Sequence, residues 1–495
     1  MLFSTPTDDD KRVVWGHPYK WTEHHTSASD LNPLLFSYDK LAVDALNRLD
    51  EISPPVSKTW KCPHAAGPGQ RDLYELLERH SAENETLARL WNEVMAVPEW
   101  VDWEQIQRGQ QVFYQFSSQI MFGVSIRIPT ECGLVADAVK LLYTSLVGGM
   151  GAYRVVETLG RTGGFGVRVA RRRLLETLQH FMDMIDDVDS IKPGGRGFVS
   201  SVRVRLLHAA VRRRIMQLEK EKPGYFDMKE LGVPINDLHC ICTITAYSCA
   251  IVWLALPRQG VRLSRQQAVD FLAMWRWVGY VMGTPVDWMA TPEQAKAMME
   301  SVMACEIQPS ANSKILANNI LTAEAMVPPL FLKREYMTAI TYQLNGYDLS
   351  QALDIDKPSI KYRAIVWFQC FAFICLGHLH PWLPASTQNN MKTDMKRLVQ
   401  KMITGHKNEM MGDMQNVSKF EFQYIPELGK GTELGYFERI AATSRRPWMK
   451  AWLIMPVVGL AAFSICWLMS LPVRGLPLRM ASLAVSPQAL HRYSN

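Results

Sequence analysis

The spacing of hydrophobic residues follows the helical period over most of this chain. Apolar residues recur every three to four positions over residues 38–52, 72–95 and 103–122, which is the pattern of amphipathic helices. The same period continues over residues 132–158, 167–187, 199–221, 236–256, 264–281 and 292–306. Alternating patterns, which predict strands, are scarce. The sequence therefore predicts an all-α fold.

The helical pattern is interrupted by two irregular regions. Residues 53–70 are rich in Pro and Gly and predict a long surface loop. A second irregular region runs over residues 412–435. We therefore expect an N-terminal extension with loops over residues 1–90, one large helical domain over residues 91–411, and a linker over residues 412–450.

An uncharged run of 23 residues, 451–473, follows the linker. As a helix it is long enough to cross about 30 Å of hydrocarbon, so it predicts a transmembrane helix with a short tail at 474–495. Basic residues are slightly more frequent before the run than after it, which favours a cytosolic large domain. We expect a single-pass C-terminal anchor in the endoplasmic reticulum. The shorter apolar stretches at 240–256 and 364–379 are instead predicted to be buried helices. The N-terminus has no apolar stretch typical of a signal peptide.

Composition excludes several classes of protein. The chain has 495 residues, of which 48% are hydrophobic and 21% charged, as in globular proteins. Its net charge of +6 is concentrated in short basic clusters within helical patterns, so nucleic acid is not an expected partner. Nine scattered cysteines without a CxxC pair do not resemble a secreted disulfide framework. They favour a reducing compartment.

One histidine lies in the middle of an apolar helical run. The segment 202–214 reads VRVRLLHAAVRRR, with His208 at its centre. Such a histidine can project its imidazole into a pocket as an axial haem ligand. Arg205 and Arg212, three residues before and four after, share that side of the helix and could bind haem propionates. A lone histidine on a helix is more often a hydrogen-bonded core residue, and spacing does not decide between the two roles.

Three polar residues upstream of His208 could act on a substrate. Glu157 lies in one predicted helix, and Arg173 and Thr177 are spaced i,i+4 in the next, so these two share a face. A carboxylate, a guanidinium and a hydroxyl in one pocket could transfer protons and polarise bound dioxygen. Taken singly, a surface acid and a solvated basic stripe are the more frequent roles of such residues.

The order of these residues resembles a known family of oxygenases. Glu157, then Arg173 and Thr177, then VRLLHAAVR at 204–212 are similar to the core pattern of latex clearing proteins (rubber oxygenases) and the ER-bound oxygenase MpaB. The segments VPEWVDWEQIQRGQQVF (97–113), GVPINDL (232–238) and LAMWRWVGYVMGTP (272–285) agree with it. The resemblance covers about residues 91–285.

This resemblance implies a globin-like helical core, with extra helices, around a haem b. It implies an oxygenase that uses dioxygen, with His208 as the iron ligand, Glu157 as a base, and Arg173 and Thr177 on the distal side. We expect the substrate to be a lipophilic isoprenoid or polyketide-type small molecule, in fungal-type secondary metabolism. Two alternatives remain open: a haem-binding carrier or sensor, and a non-haem metal oxygenase on the same fold.

Overall fold

A computed structural model of the chain describes residues 10–55, 71–117, 146–161, 165–327 and 332–404. The linker predicted at 412–450, the membrane helix at 451–473 and the tail at 474–495 lie outside these residues. The same holds for the parts of the helices predicted at 103–122 and 132–158 that fall within 118–145.

Helices dominate the described residues, which confirms the all-α prediction. The α-helices with both ends in this part of the chain are α1 (Ala28–Leu31), α2 (Lys40–Ile52), α3 (Leu73–His80), α4 (Glu85–Met95), α5 (Trp103–Gln115), α6 (Tyr153–Arg161), α7 (Val167–Ile185), α8 (Val188–Ile191), α9 (Arg196–Glu221), α10 (Met228–Leu231), α11 (Asp237–Tyr247), α12 (Leu256–Arg258), α13 (Arg265–Val281), α14 (Pro292–Cys305), α15 (Ala311–Glu324), α16 (Arg334–Asn345), α17 (Tyr347–Ala352), α18 (Ile360–Leu379) and α19 (Ala385–Thr404). Short 3-10 turns occupy Asn32–Leu35, Asp287–Met289 and His380–Trp382.

The prediction of one continuous helix over residues 72–95 is wrong. The chain forms two helices, α3 and α4, with a break before Asn84. The Asn84 side-chain oxygen accepts hydrogen bonds from the backbone N–H groups of Thr86, at 3.0 Å, and Leu87, at 3.2 Å. This is N-cap geometry, which satisfies N–H groups that have no partner inside the helix. Asn84 therefore starts a new helix where the apolar period alone predicts continuation.

Two further predicted helices are interrupted. The helix predicted over 132–158 is broken at Ala152, which forms an isolated β-bridge with Ile307. The helix predicted over 236–256 ends as α11 at Tyr247, where the Ser248 hydroxyl donates to a backbone carbonyl of the preceding turn. The chain then continues in a π-helical turn, Ile251–Ala255. Such π turns inside helical segments are rare and are frequent at functional sites.

A small hairpin attaches the N-terminal region to the helical body. Strands β1 (Lys11–Val14) and β2 (His17–Lys20) pair antiparallel. The buried carboxylate of Glu300, on α14, accepts hydrogen bonds from His17 Nε2 at 2.8 Å and His25 Nε2 at 3.1 Å. The carboxylate is thereby satisfied, which a buried acid requires. These two bonds hold the hairpin and its following loop on α14.

Helices α5 and α13 pack closely against each other in the core. Gly109 of α5 faces the α13 backbone, and a Cβ atom placed on it would collide with the carbonyl oxygen of Asp270. The Arg108 guanidinium extends the contact by donating to the Asp270 carboxylate, with Nε at 3.2 Å. Glycine is required here because only a residue without a side chain permits such a close backbone approach.

We expect Gly109→Ala to destabilise the fold. The added methyl group meets backbone rather than a flexible side chain, so the two helices must separate. Overpacking of this kind lowers the free energy of unfolding by about 1–3 kcal/mol. Chemical denaturation measures the change. The matched control is Gly149→Ala, whose new Cβ meets nothing within 4 Å. Equal unfolding midpoints for the two variants would contradict the packing argument.

Two segments within the described residues are long and apolar enough to cross a membrane. The most apolar 18-residue stretch within Asp237–Arg258 has a mean hydropathy of 1.8 and is 61% buried, while that within Ile360–Trp382 has a mean hydropathy of 1.4 and is 28% buried. Length and composition alone are weak evidence for a span, because core helices pass the same test. The prediction that 364–379 is a buried helix is wrong for one side of α18, which is open to solvent.

Candidate active site

His208 lies near the middle of α9, the longest helix in the described part of the chain. Burial and, to a smaller extent, the positive charge of Arg212 lower the pKa of His208 to about 4, so the imidazole is neutral near pH 7. Part of its surface nevertheless remains accessible, which places the ring on the wall of an internal space. Among the described residues, no hydrogen bond reaches either ring nitrogen. Its ring nitrogens are not among the buried side-chain atoms of the described residues that have no hydrogen-bond partner, so they are accessible and available to donate a lone pair to a ligand.

Arg173 and Thr177 lie on α7, which packs against α9. The Thr177 hydroxyl donates to the Arg173 carbonyl oxygen at 2.9 Å, within the same helix. The Arg173 guanidinium lies 3.5 Å from the Glu176 carboxylate, one turn away. The structure therefore confirms that the two residues share a helix face, as their i,i+4 spacing predicts.

A second buried histidine follows on the same face of α7. His180 lies three residues after Thr177, and its Nδ1 is 2.7 Å from the hydroxyl of Ser200 on α9. Burial lowers the pKa of His180 to about 3, and the charge of His208 contributes to the shift. The two histidines are therefore close enough to interact electrostatically between the packed helices.

Glu157 is held on α6 by two neighbouring side chains. One carboxylate oxygen pairs with the Arg161 guanidinium, one helical turn later, and the other accepts from Asn312 Nδ2 at 2.6 Å. Asn312 belongs to α15, which packs against both α6 and α7. Glu157 is thus positioned by a helix that also supports the Arg173 and Thr177 face. Among the described residues, the Glu157 carboxylate forms hydrogen bonds with Arg161 and Asn312 and not with Arg173 or Thr177.

The two arginines that flank His208 are bound to protein groups. Arg205 donates to the Asp39 carboxylate from Nε at 2.6 Å and to the Glu93 carboxylate from Nη2 at 2.6 Å. Arg212 donates to backbone carbonyl oxygens, among them that of Pro234 at 3.1 Å. Both are buried and connect α9 to distant parts of the chain. The propionate role expected from their spacing stays a prediction that these contacts do not favour.

We expect Arg205→Met to destabilise the protein before any cofactor binds. The Asp39 carboxylate would lose its partner, and removal of one member of a buried ion pair costs about 3–5 kcal/mol. We expect a loss near the lower end of this range of about 3–5 kcal/mol, because Glu93, the second partner of Arg205, is 44% exposed and water can solvate its carboxylate. Denaturation of cofactor-free protein measures the loss. Arg265→Met, in an exposed pair with Glu293, is the control and should cost at most about 1 kcal/mol. Unchanged stability with weakened haem retention would instead support the propionate role.

One face of α11 is accessible although the helix is largely buried. Thr243 is exposed and Ala246 and Tyr247 are partly accessible, although their neighbours Cys242 and Ile244 are buried. The three accessible positions are spaced as one helix face. Burial raises the pKa of Tyr247, so this residue lies away from bulk water. Accessible surface on a side chain far from bulk water is typical of a cavity wall.

This α11 face is turned toward α7. The Tyr247 ring centroid lies 6.5 Å from that of Phe181 on α7 and 5.9 Å from that of Trp275 on α13. The π-helical turn Ile251–Ala255 follows directly on α11. Tyr247 therefore lies beside α7, the helix that carries Arg173 and Thr177 and packs against α9. The aromatic side chains here form apolar surface, which suits an apolar ligand.

Two residues close to the α7 face of Arg173 and Thr177 were missed by sequence reasoning. His180 completes the spacing i, i+4, i+7 with Arg173 and Thr177, so the face could have been extended to it. Tyr247 had no such signal, because α11 is apolar on all sides and the sequence does not show which side is accessible.

Metal ligation by clustered side chains finds no support. Within the described ranges, no group of three or more His, Cys, Asp or Glu side chains is placed to hold a metal ion. Burial raises the thiol pKa of Cys240 and Cys242 to about 12, so both are protonated near neutral pH. A thiolate is the form that binds metals. His208 is therefore an isolated donor in this part of the chain.

Comparison with known proteins gives a family and two individual similarities. The sequence model of the family described as "ER-bound oxygenase mpaB/B'/Rubber oxygenase, catalytic domain" matches residues 136–375, which include all six candidate site residues. "Rubber oxygenase" from Streptomyces sp. (strain K30) is 22% identical over 356 residues, covering 70% of this chain and 74% of that protein. A solved structure titled "Structure of Latex Clearing Protein LCP in the closed state" is similar with a TM-score of 0.49 and 18% identity, covering 80% of this chain and 95% of that chain.

Proposed function

We propose that this chain is a haem-dependent oxygenase of the MpaB and rubber-oxygenase type, because the sequence model of that family matches residues 136–375 and a rubber oxygenase is 22% identical over 356 residues. Its proposed substrate is a lipophilic small molecule of the isoprenoid or polyketide type, which it oxidises or cleaves with dioxygen. The observation that carries the proposal is the neutral, unpartnered imidazole of His208 on the wall of an internal space.

The donor set of this space fits a haem better than a bare metal ion. A metal bound by side chains alone needs three or four of them, and the described residues supply no such cluster. A haem brings most of the ligands of its iron with it, so a single imidazole such as that of His208 would be enough to hold it. His208, with its free lone pair, is that kind of donor. Phe181 of α7 and Tyr247 beside it offer apolar surface for a macrocycle.

The other site residues have separate roles in this proposal. Haem b bound at His208 would supply the activation of dioxygen. Glu157, positioned by Arg161 and Asn312, accepts a proton from the substrate. The hydroxyl of Thr177 and the guanidinium of Arg173 orient polar atoms at the site by hydrogen bonding. The apolar walls keep water away from the reacting groups.

The proposed setting of the enzyme is a membrane. The run at 451–473 is the proposed single-pass anchor, with the helical domain on the cytosolic side of the endoplasmic reticulum. Lipophilic substrates concentrate in bilayers, so an anchored oxygenase meets them at high local concentration. Fungal-type secondary metabolism is the proposed pathway class, because it supplies small isoprenoids and polyketides.

The proposal is tested on purified full-length protein from cells supplied with haem. We expect a Soret band, a pyridine haemochrome spectrum of haem b, and one iron per haem. We also expect oxygen uptake on addition of geranylgeraniol as a small isoprenoid. A Soret band without oxygen uptake from a panel of isoprenoids would favour a carrier or sensor. Iron without porphyrin would favour the non-haem alternative, and neither iron nor haem would refute the oxygenase proposal as stated.

A further inference from the structure

One side of α18 exposes a continuous apolar stripe. Ile360 is 82% exposed, Trp367 67% and Phe371 38%, and the spacing of these residues places them on one helix face. Trp382, in the 3-10 turn after the helix, is 85% exposed. Large hydrophobic side chains are exposed singly on most soluble proteins, whereas a contiguous stripe marks an interaction surface. We call Ile360, Trp367, Phe371 and Trp382 the α18 stripe.

The opposite side of α18 is fixed on the protein body. Val366, Cys370 and Phe373 are buried, and Cys370 and Val366 belong to a core cluster with α16. The Tyr336 hydroxyl of α16 donates to the Gln369 side chain at 2.7 Å. A helix attached along one side cannot leave the body to cross a bilayer. It can, however, lie flat on a surface that covers the stripe.

The charged residues along the sequence of α18 are all basic. The sequence has no Asp or Glu from residue 357 to residue 393, while Lys357, Lys361 and Arg363 lie at the start of α18 and are not buried. The α18 stripe also contains two tryptophans, Trp367 and Trp382. Tryptophan side chains prefer the boundary between hydrocarbon and water. Apolar surface bordered by cations and tryptophan is complementary to an anionic lipid surface.

We propose that the α18 stripe lies in the interface of an anionic phospholipid bilayer, with α18 parallel to the membrane plane. This contact is separate from the anchor proposed at 451–473 and holds independently of the reaction. It fixes the orientation of the helical domain on the membrane. A lipophilic substrate dissolves in the bilayer, so the same contact brings the helical domain to its substrate.

The test measures the depth of the stripe in full-length protein on vesicles. Because the chain has nine cysteines, a nitroxide is attached to an encoded p-acetylphenylalanine at position 367. Vesicles contain phosphatidylcholine with phosphatidylserine. Electron paramagnetic resonance then compares collisions with oxygen, which is enriched in lipid, and with a water-soluble nickel chelate. We expect a several-fold higher oxygen-to-nickel ratio at position 367 than at the control position 83, whose glutamate side chain is 72% exposed.

A charge variant separates the lipid headgroup from its hydrocarbon. The triple variant Lys357→Gln/Lys361→Gln/Arg363→Gln, or vesicles of phosphatidylcholine alone, should lower the oxygen-to-nickel ratio at position 367. A label freely accessible to nickel on anionic vesicles would overturn the proposal. A label already immobilised and shielded in vesicle-free solution would overturn it too. Shielding that depends on protein concentration would then identify a second copy, and shielding that does not would identify another segment of this chain.

Discussion

His208→Ala is expected to abolish stable haem binding. The described residues offer no second neutral donor in the position of this imidazole, and His180, the nearest buried histidine, already interacts with Ser200. Changes to residues that only orient a metal ligand cost about 10–100-fold in affinity, so loss of the ligand itself should cost at least as much. The measurement is the ratio of the Soret band to the protein band after gel filtration, with free haem removed.

Two controls make the His208 result specific. His239→Ala removes another buried histidine, on α11, whose Nε2 is 3.3 Å from the Asn236 side chain. It should keep its haem even if it is less stable. Imidazole added to His208→Ala should restore a Soret band by entering the space that the side chain left. Haem content equal to that of the wild type in His208→Ala would remove the ligand assignment.

The fold could be predicted from sequence where the apolar period was uninterrupted. Helices α2, α7, α9, α13 and α14 begin and end within a few residues of the predicted positions. The break at Asn84 depends on a local cap, a signal that the sequence contains but the period does not. The break at Ala152 depends on Ile307, which is 155 positions away along the chain, and no local pattern records such a partner.

The candidate site was predictable in its residue types but not in its contacts. Helical spacing places Arg205 on the same side of α9 as His208. It does not show that Asp39 and Glu93, from the first hundred residues, bind the guanidinium. Likewise, the hydrophobic composition of α18 predicts burial, yet burial depends on what the rest of the fold provides to cover it. Long-range partners of this kind require the tertiary structure.

Glu157→Gln is expected to reduce turnover by about 10²–10⁴-fold while haem content stays unchanged, because the amide cannot accept a proton. The Asn312 bond can persist with the amide oxygen as acceptor, so the loss should appear in kcat rather than in KM.

The matched control is Glu306→Gln, because Glu306 also pairs with an arginine of α6, Arg154, at 2.8 Å. This variant should keep its turnover within a few fold despite losing a buried ion pair. A substrate deuterated at the allylic carbon adds a second readout. If Glu157 is the base, proton removal becomes rate-limiting in Glu157→Gln, and the isotope effect on kcat rises above that of the wild type. Turnover within twofold of the wild type, or an unchanged isotope effect with reduced turnover, would assign Glu157 to holding α6 against α15 instead.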